Sequence, residues 1–178
     1  QTSCTRVCTS VAIICVSWFL WMQTFFTGKC IFSTAWKGAN PLANRESINE
    51  EWVMSRKNLN HGLSPLQSIL ESIGNPQNTY RCIHVAGTNG KGSTCNYLKD
   101  ILVSQGYKVG MFTSPHLMTH RDRIRINDSY ISEDAFHAYL MKYYDVIEEK
   151  QLGMFEIDTL IAFQWFFDEK VDYAIIET

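Results

Sequence analysis

The chain has no C-x-x-C pair, no block of basic residues, no internal repeat and no low-complexity tract. Each absence narrows what it can do. Six cysteines without a C-x-x-C pair argue against a zinc site. A net charge of −2, from 16 basic and 18 acidic residues with no charged tail, gives no support for nucleic-acid binding. Cys4, Cys8, Cys15 and Cys30 crowd the start of the chain, whereas Cys82 falls in a strand pattern and Cys95 in a helix pattern. The last two read as inert core thiols rather than nucleophiles. A length of 178 residues, 46% of them hydrophobic, suits one soluble domain with a core of its own.

Charge is also absent from residues 7–28, and residues 11–26 are almost wholly apolar. A transmembrane helix needs about 20 apolar residues, and this run is broken by Ser, Thr and Gln. A signal peptide needs a basic first region, and only Arg6 is available. A third reading is translated upstream sequence, favoured because the chain begins with Gln rather than Met, with Met54 as an internal start. Residues 1–47 are therefore set aside as a leader of uncertain origin, and residues 48–178 carry the fold argument.

What is present is a glycine-rich turn at residues 84–94, H-V-A-G-T-N-G-K-G-S-T, between a strand pattern and a helix pattern. Glycines let a backbone approach an anion closely, and the N-terminus of the following helix adds positive potential. Gly87, Thr88, Asn89, Gly90 and Gly92 are expected to wrap phosphates. Lys91 is expected to be the catalytic cation, and Ser93 and Thr94 to offer hydroxyls to phosphate or Mg2+. The spacing departs from G-x-x-x-x-G-K-[ST], because Gly92 separates Lys91 from Ser93. A plain tight turn at Asn89-Gly90 is the bland alternative. The flanks favour a phosphate loop: residues 82–86 form a short apolar run, and Tyr97, Leu98, Ile101 and Leu102 recur at helical spacing before Gly106.

Further along, helices are expected over 49–56 and 65–73, with Leu66, Ile69, Leu70 and Ile73 on one face of the second. Residues 108–113 read as a strand that completes a βαβ unit, and a small hairpin turns at Asn127-Asp128. Ser132 is the expected N-cap of a helix reaching Lys150. A helix over 155–169, with Leu160, Phe163 and Phe167 on one face, leads to a last strand at 171–177. The pattern implies an α/β fold with a mostly parallel sheet flanked by helices. Ligands of such sheets sit beyond the carboxyl ends of the strands, so the loop after Glu177 is expected to help build the site. On that ground the chain reads as truncated at both ends, incomplete as a domain and inactive alone.

Four segments carry a resemblance. They are Gly62-Leu63 with Ile73-Gly74-Asn75-Pro76; the turn at 84–94; Thr113-Ser114-Pro115-His116-Leu117 with Arg123-Ile124-Arg125-Ile126; and Phe155-Glu156-Ile157 with Val171-Asp172 and Ile175-Ile176-Glu177. In this order they resemble the folylpolyglutamate synthase and dihydrofolate synthase family of the Mur ligase superfamily, over about residues 49–178. Asp122 stands where the family often has Glu. The extra glycine of G-K-G-S points to the folate enzymes rather than the cell-wall ligases.

The resemblance implies the sheet of a Mur ligase central ATPase domain, ATP and Mg2+ as cofactors, and ligation of L-glutamate to dihydropteroate or to a folate γ-carboxylate. It assigns Mg2+ to Ser114 and Glu156, although Glu156 also reads as a simple helix-dipole partner. It assigns substrate contacts to Asn60, Gly62, Pro115, His116, Arg123 and Phe155, more weakly. The implied whole protein is a cytoplasmic monomer acting on small molecules. Another Mur-type amino-acid ligase and a membrane-tethered nucleotide-binding module are the alternatives.

Overall fold

The computed structural model describes residues 12–15, 48–59, 62–116 and 118–178. Apart from the four residues of one strand, the apolar leader lies outside the described residues, as does Asn60. The element order is β1 (Ala12–Cys15), α1 (Glu50–Ser55), α2 (Ser64–Ser72), β2 (Arg81–Ala86), α3 (Lys91–Ser104), β3 (Val109–Phe112), β4 (Ile124–Ile126), β5 (Ser129–Tyr130), α4 (Glu133–Lys150), α5 (Met154–Asp168) and β6 (Tyr173–Glu177). Short 3-10 turns occupy Pro76–Asn78 and His120–Arg123.

Among the described residues, six strands form one sheet in the order β1-β2-β6-β3-β4-β5. The first four in that order run parallel, and β4 and β5 continue the sheet antiparallel. β2, α3 and β3 make the expected strand-helix-strand unit, but β6 lies between its two strands. The chain thus leaves β2 in one direction along the sheet and later returns to fill the gap. Such a reversal of strand order opens a crevice at the carboxyl ends of the strands.

Strand alternation divides the buried residues between two faces. Phe112, Ile124, Ile126 and Ala174 belong to a large core shared with α1, α2, α4 and α5. Val85, Val109, Met111 and Ile175 join Cys95 of α3 in a much smaller one. At the centre of the sheet, a Cβ on Gly110 would lie 2.8 Å from the ring of Phe166. Only glycine leaves room for that fully buried ring to pack on the strand.

The helices start where local chemistry dictates. The Ser132 hydroxyl accepts the Ala135 N–H at 3.2 Å, Glu133 and Asp134 fill the first turn, and Phe136, Leu140, Tyr143 and Ile147 form the buried stripe of α4. Asn49 caps α1 through the Trp52 N–H at 3.1 Å. Two apolar stripes differ from expectation. In α3, Tyr97 and Ile101 are 71% and 60% exposed, and Leu98 and Leu102 pack beside Cys95 instead. In α5, Phe166 is buried and Phe167 is exposed. Ten of the fifteen residues of that helix are apolar and its polar residues are spread around it, so its sequence carries little helical period from which to choose a face.

Candidate active site

The phosphate loop forms as β2 ends and α3 begins. Gly90 is the N-cap of α3 with φ +74°, a left-handed conformation that favours glycine. The helix begins at Lys91, so the N–H groups of its first turn have no helical acceptor and are directed at the cleft above the sheet. That cleft has a volume of about 440 Å³. Thr88, Asn89, Gly90, Lys91 and Gly92 form one wall, and Thr113, Ser114, Pro115 and Asp122 form another. Gly87 borders the loop and accepts a hydrogen bond at 2.9 Å from the Lys91 ammonium. The lysine is thus folded back over the loop, within reach of an incoming anion. Ser93 is exposed in the first turn, and the Thr94 hydroxyl donates to the Gly90 carbonyl at 2.9 Å.

The buried carboxylate of this cleft is Glu177, at the end of β6. Its Oε2 accepts the Ser114 N–H at 3.2 Å, the side chain is 4% exposed, and it makes no ion pair among the described residues. A buried carboxylate without a cation is costly. One carboxylate and the Ser114 hydroxyl beside a phosphate loop suit Mg2+, which keeps several waters and relies on substrate phosphates. No cluster of three His, Cys, Asp or Glu side chains occurs among the described residues, so these groups would supply only part of a coordination shell.

Glu156 is placed elsewhere. Its Oε2 accepts the Gly153 N–H at 2.6 Å, capping its own helix, and it does not line the cleft. That position fits the helix-partner reading of Glu156, and the buried acid found beside Ser114 is Glu177. The signal for Glu177 was an acid at the carboxyl end of an apolar strand, where α/β sheets place their sites.

The substrate candidates separate. Pro115 lines the main cleft. His116 borders a second hollow of about 380 Å³ with Glu50, Glu51, Met54, Met118 and Thr119. Phe155 is half exposed, and its ring lies 5.3 Å from that of Phe112. Gly62 precedes α2 with φ +77° and is outside both hollows.

Arg123 is buried beneath the loop that follows β3. Its Nε lies 3.8 Å from Asp158 Oδ2, and its Nη2 is 3.3 Å from His116 Nδ1. Asp158 Oδ1 also meets His120 Nε2 at 2.7 Å. Burial pushes the Asp158 carboxyl upward from the ordinary carboxylate value, and the bond to His120 opposes that shift. Asp158 therefore fastens the loop to α5 from below. It does not contact the cleft, and nothing in the sequence singled it out.

No protein-family profile matches the chain. Dihydrofolate synthetase of Saccharomyces cerevisiae is 39% identical over 118 residues, covering 65% of this chain and 28% of that protein. Folylpolyglutamate synthase of Thermotoga maritima superposes with a TM-score of 0.66 at 38% identity, over 71% of this chain and 31% of that one. This chain belongs to the folylpolyglutamate synthase/dihydrofolate synthase family. A bifunctional member of the family, solved with manganese, AMPPNP and L-glutamate bound, matches with a TM-score of 0.64 at 32% identity, over 71% of this chain and 32% of its own. The chain thus spans about a third or less of the length of these relatives. Its sheet is of the Mur ligase type that the family uses.

Proposed function

We propose that this chain provides the nucleotide-binding part of an ATP-dependent amide ligase. The enzyme would join L-glutamate to dihydropteroate, to the γ-carboxylate of a reduced folate, or to both. The observation that carries the reading is a glycine-rich helix start facing, across one cleft, a buried Glu177 that makes no ion pair among the described residues. The family membership, and the nucleotide analogue, manganese and L-glutamate bound by one relative, support it.

A carboxylate is a poor electrophile until one of its oxygens becomes a leaving group. Transfer of the γ-phosphoryl group onto that oxygen releases ADP and gives an acyl phosphate. The glutamate amine then attacks the acyl carbon, loses a proton and expels phosphate. Phosphoryl transfer calls mainly for positioning and charge neutralisation. The N–H groups of the loop and of the first turn of α3 would hold phosphate oxygens, and Lys91 would swing from the Gly87 carbonyl to the outer phosphates. Glu177 and Ser114 would hold Mg2+, which when bound neutralises charge shared by the transferring phosphates.

Operation as a cytoplasmic monomer belongs to the same proposal, and gel filtration with cell fractionation checks it. The activity test is ADP release, with ATP, Mg2+ and L-glutamate, by the whole ligase to which this chain is proposed to contribute. Release that requires dihydropteroate or a tetrahydrofolate is expected. Release that requires a muropeptide instead would transfer the chain to another Mur-type reaction. Membrane fractionation without turnover would favour a tethered nucleotide-binding module.

A further inference from the structure

Arg125 has no role in the reading so far, yet it lies in the cleft. Its neighbours in β4, Ile124 and Ile126, are 1% and 7% exposed in the large core. Alternation sends Arg125 to the opposite face, beside Met111. An apolar side chain there would extend the small core around Met111 and Cys95. A guanidinium at the same place is costly unless something anionic compensates it.

Among the described residues the anion felt from Arg125 is Asp128, an exposed carboxylate that is already paired with Lys99 and makes no contact with the guanidinium. Nη2 donates to the Asn96 side-chain oxygen and lies 3.5 Å from the Met111 sulfur, both uncharged groups. Nε is buried with no hydrogen-bond partner, and Arg125 makes no ion pair among the described residues. The other charged groups of the cleft have partners. Lys91 donates to Gly87, Asp122 accepts the Met118 and Thr119 N–H groups, and Glu177 accepts that of Ser114. Asn96 also donates to the Gly92 carbonyl at 2.9 Å, so Arg125 is tethered to the start of the phosphate-loop helix.

We propose that Arg125 is a second anion-binding side chain of this cleft. It would take a reacting oxyanion: the terminal phosphate of the nucleotide or the carboxylate that receives it. The proposal rests on the ligase reading above. A planar guanidinium fork matches either group, each of which presents paired oxygens, better than an ammonium does.

The test is calorimetric titration of the full 178-residue chain with ADP, AMPPNP and dihydropteroate in Mg2+. Wild type is compared with Arg125→Met, Arg125→Lys and Lys91→Ala. Methionine keeps the unbranched stem in a half-buried setting, so thermal melting of Arg125→Met should match wild type. Loss of AMPPNP affinity by about tenfold with ADP unchanged assigns the terminal phosphate, and the same loss confined to dihydropteroate assigns the carboxylate. Partial recovery by Arg125→Lys supports either. Unchanged affinities in Arg125→Met, with nucleotide lost in Lys91→Ala, overturn the role of Arg125 and leave the nucleotide reading standing. Equal losses on ADP and AMPPNP place the contact on an inner phosphate and also overturn it. Wild type that binds none of the three overturns both.

Discussion

The two faces of the sheet are built differently. On one, α5 lies against the strands with its sides covered by α1, α2 and α4, and aromatic and aliphatic side chains fill a continuous core. On the other, α3 packs with Cys95, Leu98 and Leu102 and leaves Tyr97 and Ile101 exposed. The first face supplies most of the burial that stabilises the domain. The second supplies a helix whose N-terminus is directed at the cleft. Stability and chemistry share a sheet but not a face, so changes on either side should have separable effects.

The sharpest way to break that contrast is within the large core. Phe166→Ala is expected to cost about 3–5 kcal/mol, read by urea denaturation, because it removes the fully buried ring packed on Gly110. Asp158→Ala should follow at about 3 kcal/mol, because it leaves buried His120 without its hydrogen-bond partner and buried Arg123 without the carboxylate it faces. Nucleotide affinity should persist in that variant under folding conditions, since Asp158 does not touch the cleft. On the other face, Tyr97→Ser and Ile101→Ser should each change stability by no more than about 0.5 kcal/mol. A large loss from either would mean that α3 is covered by something that the two-faced account omits.

The smallest effect concerns pH. Hydrogen bonds from Thr119 and Met118 hold the Asp122 carboxyl below its usual range. Its contribution to stability is therefore present above the ordinary carboxylate value and lost as pH falls through the lowered one. Asp122 is near the surface, so solvent screening keeps the effect small. Wild type should lose slightly more stability than Asp122→Asn between pH 5 and about 2 in paired denaturation curves. Parallel curves would remove Asp122 as the clasp of this loop.

How much of this was legible in the sequence varied with the range of the interaction. Ser132 and the acids behind it announce α4, because a cap is a contact within four residues. The phosphate loop was equally plain, since strand, glycines and helix follow one another directly. The insertion of β6 between β2 and β3 was not, because pairing Tyr173 with Arg81 on one side and Val109 on the other leaves no local trace. The same limit hid the acid that lies beside Ser114. An acid in the first turn of α5 and one at the end of β6 look alike in sequence, and only strand order brings Glu177 to Ser114. In R-I-R-I, strict alternation would put both arginines on one face. Arg123 instead belongs to the 3-10 turn His120–Arg123, so it escapes the strand period and drops beneath the loop, while Arg125 keeps it.

That pair of carboxylates offers the most direct test of the central claim. AMPPNP should be titrated into wild type, Glu177→Gln and Glu156→Gln, each with and without Mg2+. The account predicts that Mg2+ tightens binding to wild type and to Glu156→Gln, and that this gain vanishes in Glu177→Gln. A gain that survives in Glu177→Gln and vanishes in Glu156→Gln would contradict it and return the metal to the start of α5.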